Sequence, residues 1–280
     1  TSLKDAYFGF AFGGSQSVSV GRFKPPFDME ALTSTKDQLF VHRSLESRGV
    51  ACHEGFCDSA GGLAPGRQIG VMYRNDLLLE LGPLDLGGSL AVTNGNSATE
   101  TLNDNDLPAV YGRLALAWGE SRYTNDYEGP AAYSLPTEGG ILGLSFLFNR
   151  RTYGDPPNRS QDQEVGVGFD LAVGYGGLLL QGQAIGIATT HLQATSGEDE
   201  FGIGGHVTLA YEVTDGLQAA VRVANYNPRV VSSGDDLDVA DYDMSTHFTA
   251  GVRYTSDALP LLLFAEYTHA REDEAGEINN

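Results

Sequence analysis

The chain has 280 residues, with 37 acidic side chains against 17 basic ones and a formal charge of −20. That excess excludes a nucleic-acid binder, which needs a basic stripe to release counterions. Charged residues make up only 19% of the chain and glycine occurs 36 times. This composition excludes an acidic disordered tail and a helical bundle, since a glycine inside a helix costs about 1 kcal/mol relative to alanine. Mean hydropathy is −0.20, and no apolar run approaches the roughly 18 residues of a membrane helix. A transmembrane β-barrel stays open, because only every second residue of its strands faces lipid.

Period-two alternation recurs along the chain. Phe8, Phe10 and Phe12 alternate with Gly9 and Ala11; Ile69, Val71 and Tyr73 follow, then Leu114, Leu116 and Trp118. The longest run sets Val165, Val167, Phe169, Leu171, Val173 and Tyr175 against Gly166, Gly168, Asp170, Ala172 and Gly174. Ile203, Val207, Leu209, Tyr211 and Val213 then face Gly204, His206, Thr208, Ala210 and Glu212, and Phe248, Val252 and Tyr254 close the series. Strands of about ten residues suit a tilted membrane crossing better than a soluble sheet.

Tight connections at Gly13-Gly14-Ser15, Gly176-Gly177, Thr214-Asp215-Gly216 and 255–258 alternate with long polar ones. The long ones cover 25–66, 95–108, 149–163, 188–201, 228–244 and 271–280, as expected of periplasmic turns and external loops. Glu120 to Glu138 is longer than that alternation predicts for its side. Tyr7, Tyr73, Trp118, Tyr175, Tyr211, Tyr254 and Tyr267 are read as interface aromatics near strand ends. The fold class is thus all-β, a transmembrane antiparallel β-barrel with about twelve strands. The chain forms one domain, residues 1–280.

If the bulky apolar row faces lipid, the opposite row lines the lumen. It carries Arg113, Asp170, His206, Glu212, Arg222, His247, Arg253 and Glu266. Most negative charge lies in the loops, with Asp235, Asp236, Asp238, Asp241 and Asp243 crowding one of them. Those aspartates lack the glycine and final glutamate of an EF-hand, so a solvated acidic loop is expected. Cys52 and Cys57 bracket four residues and are disulfide candidates for an oxidising compartment; free thiols and a metal site with His53 are the alternatives that the spacing leaves open.

Val20 to Tyr73 resembles the phosphate-selective porin O and P family of bacterial outer membranes. The resemblance rests on Leu3-Lys4-Asp5-Ala6-Tyr7, Val20-Gly21-Arg22-Phe23-Lys24-Pro25-Pro26-Phe27, Leu32-Thr33-Ser34, Phe40-Val41-His42-Arg43-Ser44-Leu45 and Ala64-Pro65-Gly66-Arg67-Gln68-Ile69-Gly70-Val71. Ala91-Val92-Thr93-Asn94-Gly95 matches a strand end before an external loop. The family implies a diffusion pore in the bacterial outer membrane, a homotrimer, and an inward-folded loop, here 25–66. Matched residue by residue, it offers Arg22, Lys24, Arg43 and Arg67 as pore-lining positions, joined by Arg113, Arg222 and Arg253 of the wall. Lys36, His42 and Arg48 share the same loop.

Family members are longer and finish on an aromatic-ended strand. This chain stops in Gly276-Glu277-Ile278-Asn279-Asn280, so 14–16 strands are expected of the complete protein. With only three lysines, general or weakly selective permeation is expected, anions such as phosphate included. The expected partners are the lipid bilayer and small hydrophilic solutes or ions. No cofactor, metal, nucleic acid or catalytic residue is expected. Two rival classes are an outer-membrane hydrolase-type barrel enzyme and a soluble Ca-dependent β-sandwich binding module. The first lacks a Gly-x-Ser-x-Gly elbow and a His-Glu-x-x-His motif, and the second would behave as a detergent-free monomer.

Overall fold

The computed structural model describes residues 5–34, 37–48, 62–95, 107–119, 138–153, 160–192, 200–231, 244–256 and 261–273. The described residues form twelve strands in one antiparallel sheet whose spatial order is the sequence order. They are β1 (Ala6–Phe12), β2 (Gln16–Phe23), β3 (Gln68–Leu81), β4 (Leu84–Thr93), β5 (Ala109–Gly119) and β6 (Glu138–Tyr153). The second half comprises β7 (Ser160–Tyr175), β8 (Leu178–His191), β9 (Glu200–Thr214), β10 (Leu217–Val231), β11 (Met244–Ser256) and β12 (Leu261–Asp273). Among the described residues between β2 and β3 are two single-turn helices, α1 (Met29–Leu32) and α2 (Leu45–Arg48). Among the described residues β1 and β12 are the sheet's two edges and do not pair.

Strand number and order agree with the periodicity; strand length does not. β6 and β7 each have 16 residues and β8 to β12 have 13 to 15, so they reach into segments that read as loops at 149–163, 188–201 and 228–244. The last strand likewise takes in residues 271–273. A tilted strand needs about 9–11 residues to cross hydrocarbon, so the additional ladder lies beyond it. There no lipid imposes an apolar row, and polar sequence conceals the pairing.

Two-residue turns join β3 to β4, β7 to β8 and β9 to β10. Gly176 and Gly177 both take positive φ, 56° and 81°, the backbone that matches a hairpin's twist and that residues with a Cβ resist.

The two faces of the sheet invert the pattern of a soluble protein. On one, Leu114 pairs with Leu144 and Leu144 with Phe169, and all three are about half exposed. Val167, Ile203, Val207, Val223 and Phe248 continue this uncovered apolar row. The other face buries Arg113, Asp170, His206, Thr208, Arg222, His247 and Arg253. A contiguous apolar exterior of this extent has no stable place in water, and hydrocarbon covers it at no cost.

Trp118, Tyr175, Tyr211 and Tyr254 stand near the turn ends of β5, β7, β9 and β11, where interface aromatics belong. Tyr73 and Tyr267 instead sit near the middle of β3 and β12, which corrects their expected place at strand ends. Trp118 lies against Gly140 on the neighbouring strand, and a Cβ there would meet its ring.

Replacing Val207 by Arg on the apolar row is expected to destabilise the lipid-folded protein by about 2–4 kcal/mol. Urea titration of the protein refolded into vesicles measures it, and an unchanged midpoint would contradict the assignment of that face.

Candidate functional site: the inserted segment and its wall

The segment after β2 carries Phe27, Met29, Leu32, Leu39, Phe40 and Leu45, too many large apolar side chains to remain in water. They are buried, because the segment lies against the polar face of the sheet. Phe23 and Phe27 pack with Met72, Ala91, Tyr111, Leu147 and Ile185. Leu39 and Phe40 pack on Ala115, Ala117, Ile141, Ala172, Leu179, Ala210 and Ala220, and Leu45 on Ala224 and Tyr226. Small residues of the wall make the room. Phe27 reaches Gly166, where a Cβ would come within 3.1 Å of its ring; Glu46 lies over Gly204 and Phe40 over Gly251.

Register then brings the polar groups together. One rung runs Gln183, His206, Ala224, His247 and Ala270; the next runs Gln181, Thr208, Arg222, Thr249 and Thr268. Against these rungs the segment sets Asp28, Glu30, Ser44, Glu46 and Ser47, all buried. Arg222 Nη1 donates to Glu30 Oε1 at 2.9 Å and Nη2 to the His42 carbonyl at 2.9 Å, with its guanidinium 4.4 Å from the Phe40 ring centroid. His206 Nδ1 lies 2.5 Å from Glu46 Oε1, to which Gln183 Nε2 also donates at 3.3 Å. The Ser44 hydroxyl bonds the carboxylates of both Glu30 and Glu46, and the Glu30 carboxylate also accepts from Ser44 N at 2.7 Å. Nearer β12, Glu266 accepts from His42 N and pairs with its Nδ1, each at 3.1 Å.

Burial pushes the Asp28 carboxyl up to about 6, and the nearby Glu46 and Glu30 reinforce the shift against bonds from Ala31 N and Ser47. Burial acts on Glu30 in the same sense, but Arg222, His206 and Ser44 together outweigh it and lower its pKa. Glu30, Glu46 and His206 each bring a ligand atom within 4.8 Å of the others, which could hold a cation. Arg222 already bonds Glu30 and the His206 ring bonds Glu46, so both carboxylates are compensated from within the chain.

The seven basic residues expected to line a pathway do not converge. Arg113 forks onto Asp170, with Nη2 2.7 Å from Oδ1, and donates to Ser145 at 3.0 Å. Gly143 leaves the space for this fork, because a Cβ there would collide with both partners. Arg113 and Arg222 are each 4% exposed, so they brace the wall and the segment. Arg253, also on the covered face, donates to Gln218 at 3.3 Å.

Lys24 and Arg43 donate to the carbonyls of Leu32 and Thr33, and Arg67 grips Asp5 through two bonds of 2.9 and 3.1 Å near the sheet's edge. Arg22 is half-buried and pairs across from Ile69, in the row of Val18 and Val20 rather than the covered row of Ser19 and Phe23. Cys52, Cys57, Lys36 and the loop of Asp235 to Asp243 lie outside the described residues. Asp28, Glu30 and Glu46 read from the sequence only as nearby partners for the segment's basic residues; the long-range partners of Glu30 and Glu46 on the wall, Arg222 and His206, are not visible in it. The signal available was their interleaving with Phe27, Met29 and Leu45, apolar neighbours that take the carboxylates inward with them.

Glu30→Ala strands Arg222 in a buried site and is expected to cost about 3–5 kcal/mol, read as a lower unfolding midpoint in detergent. An unchanged midpoint would remove the pair from the account. Asp28 has its pKa raised on folding, so its contribution is complete below about 3.8 and is lost as pH rises through about 6. Glu30, lowered from 4.5, contributes above that value and loses its contribution only at lower pH. Between pH 4.5 and 6 the segment's protection from amide exchange is therefore expected to fall as pH rises. Asp28→Asn, which keeps the cap on Ala31 N, should flatten that slope; an equal slope in the variant would exclude Asp28 as its source.

Comparison with known proteins agrees with this architecture. The chain resembles outer-membrane-expressed OmpT of Vibrio cholerae at 10% identity with a TM-score of 0.54, covering 97% of this chain and 71% of that one. A loop L8 deletion mutant of the same outer membrane protein aligns with a TM-score of 0.51 at 10% identity, covering 93% and 72%. At that identity the likeness shows the fold, an outer-membrane β-barrel. A search of curated proteins finds no match. The family model for phosphate-selective porin O and P matches residues 1–219, well over half the chain. An apolar exterior, a polar wall and this match lead to one conclusion: the chain belongs to the phosphate-selective porin O and P family of bacterial outer-membrane porins.

Proposed function

We propose that this porin lets small hydrophilic solutes and ions, phosphate and other anions among them, diffuse passively across the outer membrane as part of a homotrimer. The observation that carries the reading is the buried polar face. Where the inserted segment leaves that face partly open, as at Glu266 and Thr268, its carboxylate and hydroxyl groups replace part of a solute's hydration without forming or breaking bonds. Selectivity in this reading is modest. Arg113 and Arg222 are matched by Asp170 and Glu30, and the chain as a whole carries −20. Lys24 and Arg43 remain on the inserted segment as contributors to anion passage.

In planar bilayers under a salt gradient, the purified protein is expected to give stepwise conductance with a reversal potential that reports weak selectivity. Arg43→Ala should move that potential toward cations, by no more than about a twofold change in permeability ratio. Absence of steps from folded protein would contradict the porin reading. An unmoved potential would take Arg43 out of the path. Comparing chloride, sulfate and phosphate in the same experiment orders the solutes.

A further inference from the structure

We infer that Glu30, Glu46 and His206 bind one divalent first-row transition-metal ion, with zinc as the probe, and that this ion pins the inserted segment to β9. Such a site lies outside the porin reading and does not depend on it.

The three residues come from distant parts of the chain. Glu30 lies on α1, Glu46 on α2 and His206 on β9, and each brings a ligand atom within 4.8 Å of the other two. Gly204, two residues before His206 on the same face, makes the approach possible, because a Cβ there would stand 2.5 Å from Glu46 Cβ. The side chains of Glu46 and His206 are fully covered, and Glu30 is buried with them.

Charge in this network is unequal. Asp28, Glu30 and Glu46 share it with one guanidinium, Arg222, which leaves two negative charges when the imidazole is neutral. Arg48 and Glu266, on the side of β12, add one charge of each sign. Lys24 and Arg43 turn to the carbonyls of Leu32 and Thr33 instead.

The contacts are uneven as well, since Arg222 and His206 each reach only one oxygen of a glutamate. On Glu46, His206 Nδ1 at 2.5 Å, Ser44 Oγ at 2.6 Å and Gln183 Nε2 at 3.3 Å all meet Oε1. Glu46 Oε2 is buried with no partner among the described residues, a rare state for a carboxylate oxygen in a folded protein. Ser44 adds a second deficit. Its hydroxyl bonds both Glu30 and Glu46 yet has one proton, so it donates to one carboxylate and turns a lone pair to the other. A cation between the glutamates relieves both.

The donor set selects the ion. Among the described residues the His206 ring makes its one hydrogen bond through Nδ1, toward this cluster, and Nε2 can hold the ring's proton. Imidazole nitrogen suits zinc and its neighbours, whereas calcium and magnesium take oxygen ligands. Two carboxylates and one imidazole are the three protein ligands of an open zinc site, and the Ser44 hydroxyl or a water can supply the fourth. Held there, the ion joins α1 and α2 to the wall, so it binds the folded chain and not the unfolded one.

The test uses the full chain with Cys52→Ser and Cys57→Ser, which removes two rival ligands, refolded in detergent with zinc and passed over a chelating resin. Elemental analysis is expected to find about one zinc per chain. Glu46→Gln and His206→Gln, each refolded as judged by heat-modifiable gel mobility, should retain at least about tenfold less, and His191→Gln as much as the parent. A refolded parent without zinc overturns the site; so does equal retention in Glu46→Gln and His206→Gln, or a loss in His191→Gln instead. Copper(II) on the parent gives a second reading that needs no variant to fold. Electron paramagnetic resonance should then show one coordinated nitrogen beside oxygen ligands. Two or more nitrogens, or none, overturn the assignment of His206. Neither readout measures conductance, so a failure to conduct bears on the porin reading alone.

Discussion

A strand that crosses hydrocarbon has water or protein on one side and nothing polar on the other, so each charge it carries must be satisfied inside. This constraint governs the molecule. Val207 and Leu209 stand uncovered on β9 while His206 and Thr208, one residue away, are buried. A shift of one residue in register would turn His206 and Arg222 toward lipid and Val207 toward the polar interior. The register of the ladder is therefore held by the location of charge as firmly as a soluble sheet's is by its core.

Satisfying those charges requires partners, and the inserted segment provides many of them. A wall made only of strands would leave Arg222 and His206 facing water. Here Glu30 and Glu46 come to them, carried by a stretch whose phenylalanines and leucines pack into the places left by wall glycines and alanines. Burying ion pairs gives little net stability by itself, because desolvation offsets much of the attraction. Their effect is positional: removing either partner is costly, so the segment has one seat. Apolar packing supplies the affinity and the ionic contacts supply the address. Arg113 and Asp170 do the same between strands, with Gly143 leaving the space for their fork.

Much of this was legible from the chain alone. Alternation at Val165 to Tyr175 and Ile203 to Val213 identified strands and their faces, and the polar row proved to be the covered one. What the alternation missed lay beyond the hydrocarbon, where β6 to β12 continue through sequence free of the two-residue rule. The inserted segment was visible as a family resemblance, but its chemistry was not. Glu30 and Arg222 are 192 residues apart, and only the rung-by-rung pairing of β2 through β10 brings them within 2.9 Å. The basic residues read as pore-lining from the resemblance and from the polar row of the strands, a row that also holds Asp170; which acid meets which base depends on strand register and on the seat of the segment. Tyr267 was placed at an interface because tyrosines gather there, whereas its position along β12 depends on where the long strand begins.

The account stands on lipid touching one row of each strand and never the other. Single cysteines placed in turn from 203 to 211 along β9, each carrying an environment-sensitive fluorophore in vesicles of bromine-labelled lipid, test this directly. Strong quenching at 203, 207, 209 and 211 with weak quenching at 204, 206, 208 and 210 is the expected pattern. Equal quenching at both sets, or the reverse order, would contradict the account at its base.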